Sequence, residues 1–209
     1  MGKSSGGVRS GANGGEPKTL NPVKNLKGAT EAGYTDKMVR NIVGIEQNYR
    51  MNKDETLHIF SPTGDLIRSI GGKGAQVRFA TSDVPEGFIL THNHPRSLGS
   101  KGINRIGNSF SGDDILTAVN TNAREIRAVT PTYTFSMKRP KGGWGVKSKQ
   151  QLKRAYNKAY REVDFEMRTY LRKRGYSADA VNRANATFYH KLNKRLAAQF
   201  GWDYTKKNK

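Results

Sequence analysis

Cysteine is absent from the chain. Disulfides and thiolate zinc sites are excluded, so any bound metal must be held by His, Asp or Glu. Long apolar runs are missing too, which removes a membrane span from the expectations. The first fifteen residues, MGKSSGGVRSGANGG, lack the apolar stretch of a secretory signal. A soluble protein made in a cytoplasm, or packaged from one, is the expected setting. Apolar residues are scarce at 34%, below the usual globular share, so part of the chain is expected outside any core. Histidine is rare as well, with four in 209 residues. Two of those four stand two apart in FILTHNHP, at the end of an apolar run.

What the chain has in abundance is positive charge, unevenly placed. Residues 1–54 carry a net +4 and residues 55–140 a net +3. Residues 141–209 hold 18 Lys/Arg against 5 Asp/Glu, a net +13. That asymmetry predicts chemistry in the middle and attachment to something anionic at the end. Residues 1–34 are rich in Gly, Ser and Lys and read as a flexible arm. Thr35 is placed to cap a helix over 36–49, with Met38, Val39, Ile42, Val43 and Ile45 as its apolar stripe.

Between 55 and 140 the pattern is strand-like. ETLHIFS, LIRSI, QVRF, GFILTH, EIRAVT and YTFSMK follow one another, and SGDDILTAVNTNA reads as a helix capped by Ser111. This order predicts an α/β fold, one sheet with flanking helices, over 35–146. From 147 to 209 a basic helical extension is expected. Its first helix runs to Gly175, and its second, capped by Ser177, runs to Gln199. The first helix is expected to pack through Leu152, Tyr156, Ala159, Tyr160, Val163, Met167 and Leu171. Arg154, Lys158, Arg161, Arg168 and Arg172 lie around that stripe.

Alternate residues of a strand point to one side, so His92 and His94 aim both imidazoles at one point. A zinc site that does chemistry has three protein ligands and an open position. The third ligand is expected to be a carboxylate, and Asp113 and Asp114, at the start of a helix, are the candidates. A general base is also needed. Glu55 opens the first strand of this region, and a parallel neighbour of the 88–92 strand is expected to set it beside the metal. His58 and His190 read as ordinary packed or surface residues.

His92-x-His94-Pro, then Ser111-x-x-Asp114-Ile, with Glu55 upstream on a strand, resembles the signature of the JAMM (JAB/MPN) zinc metalloproteases, closest to the RadC-type bacterial branch. The resemblance covers about residues 50–140. It implies a JAB/MPN-like sheet with flanking helices and a peptidase or isopeptidase that hydrolyses an amide bond of a protein or peptide. It also implies that His92, His94 and Asp114 bind Zn2+, that Glu55 activates water, and that Ser111 assists the oxyanion. One departure is the sixteen residues between His94 and Ser111, about twice the family's usual number. Arg96, Lys101 and Arg105 in that insertion could shape a substrate cleft.

Two other readings compete. In the first, the JAMM-like core is a scaffold in a nucleic-acid-binding or virion-associated protein that grips phosphates through residues 147–209. In the second, the literal His-Asn-His belongs to a nuclease of the HNH kind. The substrate and the oligomeric state are not legible in the chain.

Overall fold

The computed structural model describes residues 8–10, 34–95 and 108–208. The first element is a short strand β1 (Val8–Ser10), followed by helix α1 (Asp36–Tyr49). Strands β2 (Thr56–Phe60), β3 (Leu66–Gly71), β4 (Val77–Phe79) and β5 (Ile89–Asn93) come next. Helix α2 (Gly112–Asn120) then leads to β6 (Glu125–Val129) and β7 (Tyr133–Lys138). Two long helices, α3 (Lys149–Lys173) and α4 (Ala178–Phe200), precede a last strand, β8 (Asp203–Asn208).

Six strands form a mixed sheet in the order β3-β2-β5-β6-β7-β8, while β1 and β4 pair with each other apart from it. Only β5 and β6 in the large sheet run parallel, joined through α2, as a crossover between parallel neighbours requires. β2 pairs with β5 antiparallel, Leu57 opposite His92. This corrects the expected parallel arrangement, and the reason is geometric. Glu55 sits before the start of β2 and His94 after the end of β5. Only antiparallel strands bring the start of one to the end of the other.

Alternation divides the sheet into two faces. Phe60 and Ile89 face α1, where they pack with Met38 and Ile42. Leu57, Ile59, Leu90, Ile126, Ala128, Phe135 and Met137 face the other way, into a core shared with α2, α3 and α4. That second core is built from both the middle of the chain and the basic last third. Leu152, Ala159, Val163, Leu192 and Leu196 are buried in it. The expected stripe on α3 holds except at Tyr160, which is 44% exposed, with Ala155 buried one turn earlier.

The strand after Gly201 was not foreseen. Gly201 ends α4 in the left-handed region (φ 71°), a conformation that favours glycine. The turn delivers Trp202 beneath Trp144, with indole centroids 5.1 Å apart and the Trp202 Nε1 donating to the Trp144 carbonyl at 2.8 Å. β8 then pairs along the whole of β7, from Lys138 opposite Asp203 to Tyr133 opposite Asn208. No helix among the described residues is long and apolar enough to cross a membrane.

Candidate metal centre

His92 and His94 leave the end of the central strand β5 on the face covered by α2, and both are buried. Their Nε2 atoms lie 2.9 Å apart. Asp114 reaches them from the first turn of α2, its Oδ1 3.4 Å from His92 Nε2 and its Oδ2 3.8 Å from His94 Nε2. One ligand atom from each of the three residues falls within 4.8 Å of the others. Ligands on a tetrahedral ion with bonds of 2.0–2.1 Å stand about 3.3 Å apart. The separations of 2.9, 3.4 and 3.8 Å, the last two to different Asp114 oxygens, lie around that distance. A group of this kind could hold a metal ion.

Two of the three donors, those on His94 and Asp114, are held in place by a neighbour. The His94 Nδ1 lies 2.7 Å from the Asn108 carbonyl. A carbonyl only accepts, so the Nδ1 carries the hydrogen and the Nε2 presents its lone pair. Ser111 and Asp114 form a capping box. Asp114 N donates to the Ser111 hydroxyl at 3.2 Å, and Asp114 Oδ2 accepts from Ser111 N at 2.7 Å and from its hydroxyl at 2.9 Å. The helix cap thereby fixes the carboxylate that faces the histidines. Asp113, one residue earlier, is half-exposed, so of the two candidate carboxylates the structure brings only Asp114 to the pair.

Glu55 is fully buried. Continuing the β2–β5 register by two residues sets it across from His94, on the same face as both histidines. Its backbone is clamped from both sides: Glu55 N donates to the Gly74 carbonyl at 2.6 Å and its carbonyl accepts from Gly72 N at 2.8 Å. A Cβ on Gly72 would stand 2.9 Å from that same carbonyl, so this close approach requires glycine. Burial by itself lowers the His92 pKa, but the Asp114 charge and hydrogen bond, the Glu55 charge and a backbone contact with Arg127 together raise it above the usual histidine value. The pocket favours positive charge between these residues. With both carboxylates ionised and both imidazoles neutral, as a bound metal requires, the group would carry −2, the complement of a divalent cation.

Several contributors were missed from the sequence. Asn93, the middle of His-Asn-His, points to the opposite side of β5. Its Nδ2 donates to the Asn52 and Asp54 carbonyls (3.1 and 3.2 Å), and its Oδ1 accepts from Thr56 N at 2.8 Å. It therefore ties the entry of the Glu55 strand to the histidine strand. The segment before Ser111 is held by the last third of the chain. Asn193 donates to the Phe110 carbonyl at 2.8 Å, and the Tyr204 hydroxyl lies 2.8 Å from Ser109 Oγ and 2.9 Å from His190 Nδ1. Tyr156 of α3 packs over the start of α2, where a Cβ on Gly112 would meet its ring at 3.2 Å. Burial, then Tyr189 and the Asp114 charge, push the Tyr156 phenol up and keep it neutral.

His58 is buried on the far face with its Nδ1 2.7 Å from Ser69 Oγ, and His190 is half-buried against Tyr204. Both lie apart from the His-His-Asp group. Arg96, Lys101 and Arg105 lie outside the described residues. Compared with protein-family models, with curated proteins and with solved structures, the chain matches none.

Proposed function

We infer that the protein is a zinc-dependent hydrolase of JAMM type that cleaves an amide bond in a protein or peptide. The observation that carries this reading is the convergence of His92, His94 and Asp114 within 4.8 Å, all buried, with the Glu55 carboxylate on the same face. Two imidazoles and one carboxylate form a donor set that zinc takes, as iron(II) also does. Zinc held there supplies Lewis acidity and brings the pKa of a water down toward about 7. Glu55 accepts a proton from the attacking water and returns it to the leaving amine. Asn93 and the Gly72–Gly74 turn keep that carboxylate in register with the histidines. Ser111 orients Asp114 first. To steady a developing oxyanion its hydroxyl rotates away from the carboxylate it now serves.

Metal content and hydrolysis test this separately. The purified full chain is expected to hold about one zinc per molecule, and Co2+ in its place is expected to give the visible absorption of a tetrahedral site. Replacing His92 and His94 together with Ala removes both signals; stoichiometric metal retained in that variant sinks the site. Glu55→Gln keeps the metal and abolishes cleavage of lysine-linked isopeptide and peptide probes, because an amide accepts no proton from water. Cleavage at the wild-type rate by Glu55→Gln removes Glu55 from the mechanism.

A further inference from the structure

The cations of α3 are sorted. Its carboxylates Glu162 and Glu166 turn toward α4, where Glu162 lies 3.6 Å from Arg195 and Glu166 lies 3.4 Å from Lys191 while also bonding Arg195. On the line directly opposite the buried Leu152, Ala159 and Val163 stand Arg154, Lys158, Arg161, Phe165, Arg168 and Arg172. Their spacing alternates four and three residues. At 100° per residue all six fall within an arc of about 80°. All six are exposed, Phe165 at 68%. Arg168 pairs with Asp164 at 2.8 Å. Among the described residues no carboxylate pairs with Arg154, Lys158, Arg161 or Arg172.

We propose that this face of α3 is a docking surface for single-stranded nucleic acid, with the phosphate backbone along the cations and a base stacked on Phe165. The line is about 27 Å long, with a cation or the ring every 5–6 Å or so. A row of cations in which, among the described residues, only Arg168 has an acid partner fits a polyanion, and Arg and Lys placed this way meet phosphates before base edges. The exposed ring selects the partner further. An aromatic bracketed by Arg161 and Arg168 offers a stacking platform, which an unpaired base can use and a paired one cannot. An anionic membrane fits less well. Membrane-surface helices need an apolar face to bury in lipid, and the apolar face of α3 is already spent on the protein core. The metal reading is not required: the stripe lies on the far side of α3 from the sheet that carries the histidines.

Fluorescence anisotropy of a labelled oligothymidylate of about 20 nucleotides, titrated with the full chain at several salt concentrations, tests this. Four free cations predict a log–log salt slope of about −3 on a single strand. Replacing Arg154, Lys158 and Arg161 together with Gln is expected to flatten the slope by about 2. Phe165→Ala is expected to weaken binding about 5- to 150-fold with the slope unchanged. Neutralising Lys37 and Lys73, on other elements, is expected to change neither. The proposal fails if the triple variant keeps the wild-type slope. It fails equally if a duplex of the same length binds as tightly and Phe165→Ala has no effect, or if anionic vesicles hold the protein at salt concentrations that release the oligonucleotide.

Discussion

On the α1 side of the central sheet, acids meet bases. Glu46 receives Arg127 through both oxygens (2.6 and 3.1 Å) and Thr91 at 2.8 Å. Glu125 receives Arg127 at 2.8 Å, Ser136 at 2.5 Å and the Tyr34 hydroxyl. On the other side, His92, His94 and Asp114 bring lone pairs to one point. The same strand serves both, through Thr91 and Asn93 on one face and His92 and His94 on the other. The difference separates two uses of buried polar groups. Where each carboxylate oxygen already meets a donor, the network latches a helix to a sheet. Where two imidazoles and a carboxylate converge on one another, the group could hold a metal ion.

Removing a partner from the matched face gives the largest effect. Arg127→Met leaves Glu46 and Glu125 buried without their guanidinium, and stability is expected to fall by about 3–5 kcal/mol. Urea unfolding measures this, and the fraction still folded is expected to keep its metal. A loss below about 1 kcal/mol would erase the contrast between the faces.

Acid gives the next effect, through His58. Burial lowers its pKa from 6.5 to about 4. The unfolded chain therefore binds a proton that the folded one refuses, and stability rises with pH between those values. Full stability is present above about pH 6.5 and is lost as pH falls toward 4, on the order of 3 kcal/mol in all. His58→Gln removes this term. With EDTA present, the stability gap between wild type and the variant is expected to shrink from pH 7 to pH 4.5. A constant gap means His58 is not the source.

Two smaller substitutions sharpen the metal face. Ser111→Ala removes the helix cap and a donor to Asp114, costing about 1–2 kcal/mol. Metal affinity is expected to drop about 10- to 100-fold, measured by competition with a chromogenic chelator. Tyr204→Phe loses Ser109 and His190 as partners. It is expected to cost about 1 kcal/mol and to weaken the metal less than tenfold, since it acts through the backbone of residues 108–110. A Tyr204→Phe loss larger than that of Ser111→Ala would reverse the order of support.

The parts of this arrangement that depend on local spacing were legible in the sequence. Thr35, Ser111 and Ser177 cap their helices as read. The strand period set both histidines on one side, and the first helical turn offered Asp114. The parts that depend on pairing were not. The antiparallel direction of β2, the amide of Asn93 and the strand at 203–208 are decided by partners distant in the chain. DYTKKN has little apolar character to announce a strand. It forms because β7 presents a free edge, an example of tertiary context overriding local preference. The basic last third read as an attachment, yet its apolar stripes complete the core that carries the site.

The contact between Ser109 and Tyr204 spans 95 residues. A ribosome adding 5–20 residues per second takes about 5–20 s to go from His94 to Tyr204. Throughout that interval His92, His94 and in time Asp114 exist, but the Tyr204 hydroxyl that meets Ser109 does not. Closing so long a loop costs entropy that only the finished contacts return. The Ser109–Tyr204 contact can therefore form only after residue 204 has been made. An ion held by the His-His-Asp group would join residues 92–94 to residue 114, so its loading would be tied to the docking of β8.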